Sequence, residues 1–198
     1  IGGRNKETNQ GNIRVAYRYG NLWKQEAGAS AMLGGLYNLD TKRMGSHAAL
    51  AVHYLNSYKN WDFKAQYTLY RINARNKANE KHQSPVVGAY GSSYEIASKA
   101  DTYTASLAYT FLVDKGILDH IRVYNDFSFM HKYEKGFNDS YMNVTGCSLK
   151  MGPVYTYIDY ALGKNQAWLG TDWNGAFAAG MPSAEWNARL NINIGYYF

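Results

Sequence analysis

The side chains of this chain that could carry chemistry are few and widely spaced. Asp119 and His120 are the types found in hydrolase acid–base pairs, but neighbours on a strand point to opposite faces and share no site without a bulge. His47 and His53 face one side of a predicted strand, yet six residues of ~3.3 Å each separate them by about 20 Å, too far for one metal ion. No serine lies in a nucleophile motif. The sequence therefore predicts no catalytic residue, no metal site and no cofactor.

Charged residues are spaced differently, at alternate positions of segments whose other positions are apolar. In 13–19, Ile13, Val15 and Tyr17 alternate with Arg14 and Arg18, and the final stretch WNARLNINIGYYF alternates in the same way. Such alternation is typical of a strand whose two faces meet different environments. The polar faces carry Arg14, Arg18, Glu26, Asp62, Lys64, Arg122, Asp126, Asp159 and Arg189. Because a packed interior tolerates charges only when they are paired, we expect these residues to line a water-filled lumen. Two interpretations of Arg14 and Arg18 remain open: a basic ladder for passing anions, or arginines that pair with lumen carboxylates and brace the wall.

The same pattern predicts nine strands. They cover residues 12–20, 26–33, 47–54, 61–69, 102–113, 121–129, 140–151, 154–162 and 186–198. Connections at 20–24, 57–60, 114–117 and 152–153 are short, and those at 39–43, 74–100, 133–139 and 163–184 are longer. Short turns that alternate with longer loops are typical of outer-membrane barrels.

The composition agrees with strands rather than helices in a membrane. Aromatic residues make up 16% of the chain, and tyrosine alone occurs 19 times. No apolar run approaches the ~18–20 residues of a transmembrane helix. Cys147 is the single cysteine, so no intrachain disulfide is possible. The net charge of +6 is dispersed, which argues against nucleic-acid binding. We therefore predict one domain over 1–198, a transmembrane antiparallel up-and-down β-barrel, rather than a soluble barrel or sandwich.

Strand parity adds an expectation about completeness. A last strand that ends in the periplasm, counted back through nine strands, places residues 1–11 outside the cell as a polar loop. Complete single-chain barrels of this type have an even strand count. We expect the chain to be the C-terminal part of a larger barrel, for example a 16-stranded one, and so N-terminally incomplete. An alternative count takes 86–96 as a tenth strand of a small complete barrel.

The C-terminal residues resemble a known family. The terminal GYYF resembles the closing strand of Gram-negative outer-membrane porins, and residues 139–198 resemble the end of a phosphate-selective porin. The resemblance implies a bacterial outer-membrane location, a homotrimer, and a water-filled channel without enzymatic activity. It also implies that the barrel-assembly machinery reads Phe198 as an assembly signal. The alternative is that Phe198 is one more aromatic of the interfacial belt, to which Trp23, Tyr58, Trp61 and Trp186 also fit.

The expected function is passive diffusion of small anionic or neutral solutes, with a mild anion preference. A basic cluster, Arg71, Arg75, Lys77 and Lys81, leads into the longest loop. Inside the lumen it would constrict the pore; outside, it would bind lipopolysaccharide phosphates or be solvated without a partner. An outer-membrane barrel enzyme of protease or lipase type, and a plugged structural or adhesive barrel, remain as alternatives.

Overall fold

The computed structural model describes residues 5–21, 23–77, 84–89 and 91–198, and their regular structure is all β-strand. The strands are β1 (Asn5–Tyr19), β2 (Lys24–Asn38), β3 (Met44–Tyr58), β4 (Trp61–Asn73), β5 (Val86–Ala89), β6 (Ser92–Glu95), β7 (Lys99–Lys115), β8 (Leu118–Lys132), β9 (Ser140–Met151), β10 (Val154–Lys164) and β11 (Asn187–Tyr196). Nine of them form one antiparallel sheet in the order β1-β2-β3-β4-β7-β8-β9-β10-β11. This confirms the predicted all-β, up-and-down arrangement of nine strands.

The segment 86–96 does not add a tenth strand to this sheet. β5 and β6 pair only with each other, as a small hairpin inside the connection between β4 and β7. Their four-residue lengths are too short to follow the long strands on either side.

The first strand begins earlier than the alternation predicts. The sequence predicts a polar loop over residues 1–11, and for residues 5–11 the loop is wrong, because they belong to β1 and pair with the end of β2. The register shifts between Thr8 and Gly11, and Asn9 has a φ of 48°. This bulge inserts an extra residue, which interrupts the alternation in the sequence while the pairing continues. Residues 1–4 lie outside the described part of the chain.

The sheet is open along the described strands. β1 and β11 stand at its two ends, and each pairs with one neighbour. The described residues include no helix with the length and apolarity needed to cross a membrane.

The two faces of the sheet differ in chemistry, as the alternation requires. The apolar face exposes large side chains along its length, such as Ile13 (65% exposed), Leu50 (57%) and Leu190 (62%). The polar face carries the predicted charged residues. Most of the fully buried apolar residues lie instead where the longer connections fold back, namely Leu36, Ala97, Ala100, Ala167, Ala176 and Ala178. Ala108, opposite Asp62 on the polar face, is an exception. The long strands therefore have no conventional core on the apolar face.

The connections at the two ends of the sheet differ in length. The strands are joined at one end of the sheet, here called the short-turn end, by the connections 20–23, 59–60, 116–117 and 152–153. At the other end, the long-loop end, they are joined by the connections 39–43, 74–98, 133–139 and 165–186. Each of the four short turns contains a residue with positive φ: Gly20 (90°), Lys59 (52°), Gly116 (66°) and Gly152 (56°). Such turns match the twist of neighbouring strands. The predicted alternation of short and longer connections is confirmed.

Candidate functional site: the polar face of the sheet

Five of the nine predicted charged residues lie in a single line across the sheet. Directly opposed residues run Arg18, Glu26, Leu55, Lys64, Ser106, Asp126, Val144, Ala161 and Arg189 from β1 to β11. Opposed residues in a sheet share a face. We call this line the charged row. The sequence identified its charged members, but only the register shows that they are aligned.

Glu26 is the centre of the densest part of the polar face. Arg18 Nε donates to its Oε2 at 2.6 Å, and Arg14 Nη2 donates to its Oε1 at 2.8 Å. The Nε2 atom of His53 lies 3.0 Å from the same Oε1. The Glu26 side chain is 7% exposed, whereas those of Arg14 and Arg18 are 61% and 85% exposed. Of the two interpretations of these arginines, the geometry agrees with pairing to a carboxylate. Arg14, Arg18, Glu26 and His53 are called the Glu26 cluster below.

Close contact in this cluster depends on a glycine. A Cβ at Gly28 would lie 2.5 Å from Cε1 of His53 and 2.8 Å from the backbone oxygen of Val15. The imidazole of His53 therefore occupies the space that a side chain at position 28 would need.

The other acidic residues on the polar face have mixed partners. Asp62 forms an ion pair with Arg122, two strands away, and accepts a hydrogen bond of 2.5 Å from Ser57. Asp159 accepts a hydrogen bond from the Tyr124 hydroxyl. The Asp62–Arg122 and Asp159–Tyr124 contacts each reach over an intervening strand, and they therefore stabilise the sheet across its strands.

Four predicted residues have no ion pair among the described residues. Asp159 accepts a hydrogen bond from Tyr124 instead, and the other three, Lys64, Asp126 and Arg189, all lie in the charged row. Lys64 and Asp126 are exposed. They face each other across Ser106 and remain available to water and solutes.

A cavity of about 800 Å³ lies over the polar face. Its lining includes Arg14 on β1, Lys64 on β4, Asp126 on β8 and Tyr157 on β10. Residues from the first and the eighth strand of the sheet can border one cavity only if the sheet curves. The polar face is therefore the concave side.

Two long connections fold over this concave face at the long-loop end. Lys132 Nζ donates to the carbonyl of Ala176 at 2.6 Å, and Ser140 Oγ donates to the carbonyl of Asn165 at 2.7 Å. The β5–β6 hairpin joins the same loop through the amide of Glu95, which donates to the carbonyl of Asn174 at 2.8 Å. Tyr94, Trp168, Trp173 and Phe177 form an aromatic cluster between them. The loop 165–186 and the hairpin thus form one joined cap.

The predicted basic loop cluster is not part of this cap in the described residues. Arg71 lies opposite Lys99 of β7 in the strand register, near the end of β4, and Arg75 is exposed. The ammonium of Lys77 lies 3.4 Å from a carboxylate oxygen of Asp40. Lys81 lies outside the described residues. The cap over the concave face is formed in the described residues by the 165–186 loop and the β5–β6 hairpin, and not by Arg71, Arg75 and Lys77.

Phe198 follows the last strand at the short-turn end and is fully exposed. Its ring lies 6.3 Å from that of Tyr196. Aromatic pairs border the sheet at both ends: Trp23 with Tyr58 and Trp61 with Tyr109 at the short-turn end, and Tyr141 with Trp186 at the other.

Sequence reasoning missed the neutral and buried partners. Tyr124 and Ser57 each bond a predicted carboxylate, and Lys132 anchors the cap. His53 and Tyr124 do fall on the polar side of their strands, so alternation alone could have nominated them. The anchor role of Lys132 depends on a loop far along the chain and had no local signal.

Among the described residues, no three His, Cys, Asp or Glu side chains are grouped so that they could hold a metal ion. Comparison with known proteins gave no match to a family model, to a curated protein or to a solved structure.

Proposed function

We propose that this chain forms the wall of an outer-membrane porin, a water-filled channel for passive diffusion of small hydrophilic solutes. One observation supports this above all: the convex face of the curved sheet exposes large apolar side chains, and the concave face carries the charged row. Exposed apolar surface on this scale is unfavourable in water. It is favourable against lipid, and a charged concave face is favourable against a wet lumen.

The strand lengths and the aromatic residues support the same proposal. Strands of 10 to 17 residues are long enough to supply the ~9–11 residues that cross a bilayer at a tilt. Aromatic pairs border the sheet at both ends, where interfacial belts would lie. The wall would then be completed by strands that pair with β1 and β11, because unpaired strand edges are not tolerated in lipid.

The proposed selectivity is a mild preference for anions. Glu26 offsets much of the charge of Arg14 and Arg18, and Asp62 offsets that of Arg122. Lys64 and Arg189, which have no ion pair among the described residues, are matched by Asp126 and Asp159, and the Glu26 cluster holds two arginines for one carboxylate. The nine predicted residues of the polar face are therefore five basic and four acidic. A small excess of positive charge in the lumen favours passing anions modestly.

A plugged structural barrel is the second candidate, because the joined cap lies over the concave face. Buried contacts such as Lys132 to Ala176 and Ser140 to Asn165 would hold the cap in place. In a porin the same cap narrows the opening. In a plugged barrel it closes the opening.

Single-channel recording in a planar bilayer tests the proposal. We expect stable current steps and, in a salt gradient, a reversal potential that indicates a mild anion preference. Well-inserted protein without conductance would favour the plugged barrel. Protein that stays in the aqueous phase without inserting would refute both.

A further inference from the structure

A polar cluster interrupts the apolar face on β8 and β9. The amide of Asn125 donates to Asn143 Oδ1 at 3.0 Å and to Thr145 Oγ1 at 2.8 Å, and the amide of Asn143 donates back to Asn125 Oδ1 at 3.0 Å. Asn125 and Thr145 are exposed, and Asn143 is half-exposed. We call these three residues the amide triad.

The triad lies at mid-height of the sheet. Asn125 is the central residue of β8 (Leu118–Lys132), and both of its partners are interior to β9. At the centres of other described strands the apolar face presents Ile13, Ala31, Leu50, Tyr67, Leu107, Ile158 and Ile192. If the apolar face lies in lipid, as the proposed function requires, the triad lies at the depth where an unpaired hydrogen-bonding group costs the most free energy.

The internal hydrogen bonds leave a matched pair of groups unused. A primary amide has two N–H donors and an oxygen that accepts twice. Asn125 uses both of its donors, whereas Asn143 uses one. Asn143 therefore retains a donor, and Asn125 Oδ1 retains accepting capacity. The triad is complementary to a second triad turned by 180°.

A second polar group on the apolar face cannot serve as the partner. Tyr54 donates to Gln25 at 2.9 Å, and Asn56 donates to Tyr54 at 3.1 Å. Gln25 is the second residue of β2, next to the short-turn end. Copies related by an axis along the membrane normal meet at equal heights, so this group and the triad do not meet.

The surface beside the triad has a shape that suits a protein neighbour. An apolar groove of about 730 Å³ runs past it, lined by Trp61, Leu107, Tyr109, Phe111 and Val123 together with Asn125 and Thr145. Aromatic ridges beside a groove, without a charged side chain in the lining, can interlock with the same surface of a second molecule.

We propose that the amide triad is the centre of a contact between two copies of this chain, related by a twofold axis normal to the membrane. Asn143 of each copy donates to Asn125 of the other. This inference rests on the proposed function, since the axis is defined by the membrane. It differs from the trimer that the C-terminal resemblance implies. In a trimer each contact joins two different surfaces of the chain, so the amide triad of one copy would face another part of the sheet. The other described strands present apolar residues at their centres, and the triad would find no hydrogen-bond partner there.

Cysteine cross-linking in lipid vesicles tests the proposal with the triad intact. Cys147 follows Thr145 by two residues on the same face, opposite Val123 and Ile158. We expect a short bis-maleimide to join Cys147 of two identical copies. The variant N125L/N143L should lower this yield at least about fivefold, because the hydrogen bonds across the contact are lost. The matched control is C147S/V52C, which places a cysteine at an exposed central position of β3. It should react with a lipid-borne maleimide and form no dimer.

The outcomes separate this inference from the proposed function. If Cys147 reacts with the lipid-borne maleimide as readily as Cys at position 52 and forms no dimer, the contact is refuted while the membrane location stands. A cross-link to a different protein, or an unchanged yield in N125L/N143L, also refutes it. If position 52 reacts only with a water-soluble maleimide, the apolar face is not in lipid, and both proposals fail.

Discussion

The charged row has two parts that differ in how their charges are held. On β1 to β3, Glu26 binds two arginines and contacts a histidine within 3.0 Å. On β4 to β8, Lys64 and Asp126 face each other across Ser106 without an ion pair among the described residues. Both parts have the same alternating pattern in the sequence, and only the contacts across strands distinguish them.

This difference separates charges that shape the wall from charges that act on a solute. Paired groups largely cancel each other at a distance, and their side chains are fixed in one geometry. Exposed unpaired groups keep their full charge and can interact with passing ions. We therefore expect substitutions in the Glu26 cluster to affect the fold and the charge balance together, whereas substitutions at Lys64 and Asp126 affect selectivity alone.

Replacement of Gly28 should have the largest effect, because it breaks the Glu26 cluster from within. In Gly28→Ala the new methyl group would contact both His53 and the backbone oxygen of Val15, which cannot move cheaply. We expect the free energy of unfolding to fall by about 1–3 kcal/mol, measured by urea unfolding in lipid vesicles. The matched control is Gly11→Ala, where no heavy atom lies within 4 Å, and it should leave stability nearly unchanged. Equal effects of the two changes would show that the cluster is not tightly packed.

Removal of the central carboxylate should have the next largest effect. Glu26→Gln keeps the side-chain volume but leaves Arg14 and Arg18 without a counter-charge. The anion-over-cation permeability ratio should rise roughly fivefold, the effect expected of unscreened unit charges a few ångströms from a passing ion. The reversal potential in a salt gradient measures it. The double variant E26Q/R18Q should return the ratio most of the way. An unchanged ratio in E26Q would mean that solutes do not pass this part of the face.

A direct comparison of the two parts uses one neutralised cation in each. Lys64→Gln should lower the anion preference by about twofold, whereas Arg14→Gln should change it less, because Glu26 already offsets Arg14. Asp126→Asn should shift the ratio towards anions. Reversal potentials of the three variants under one salt gradient provide the test. A larger shift for Arg14→Gln than for Lys64→Gln would contradict the distinction between paired and unpaired charges.

Much of the sheet could be predicted from the sequence because alternation is a local property. The strands around Ile13, Leu50 and Leu190 each show the period of two that a two-faced sheet imposes. The start of β1 could not be predicted in this way, since the bulge at Asn9 breaks the period. The β5–β6 hairpin was not predicted as a hairpin: the alternative count takes 86–96 as one strand of the barrel, whereas β5 and β6 pair with each other. Its side chains, such as Tyr94, pack against the 165–186 loop and not against a uniform face.

The site was predictable only as a set of residues on one face. Alternation placed Glu26, Lys64 and Asp126 on the polar side, but their partners depend on register. The register is set by pairing between separate strands, such as that of Ser106 with both Lys64 and Asp126. It cannot be predicted from the residues of one strand alone. The same limit applies to the amide triad, because its residues come together only through the register between β8 and β9.

The smallest expected effect concerns the pKa of Tyr133 with and without its charged hydrogen-bond partner, Asp101. In the connection 133–139, outside the strands, the hydroxyl of Tyr133 donates to the carboxylate of Asp101 at 2.6 Å. This hydrogen bond, with burial and the charge of Asp101, raises the pKa of Tyr133 to about 12, above its ordinary value of about 10. The folded state therefore holds the proton more tightly than the unfolded chain. The stabilisation is complete below pH 10 and is lost as the pH rises to 12.

The measurement is the absorbance of tyrosinate during an alkaline titration, taken as wild type minus Tyr133→Phe. We expect this difference to have its midpoint near pH 12, and the stability difference between the two proteins to shrink over the same range. The variant Asp101→Asn should move the midpoint towards 10, since the amide oxygen still accepts a hydrogen bond but no longer carries the charge that opposes ionisation. A wild-type midpoint near 10 would show that the hydroxyl is not held by Asp101. In that case the connection 133–139 would still be joined to β7 through Glu134, whose carboxylate accepts a hydrogen bond from the amide of Lys99 at 2.9 Å.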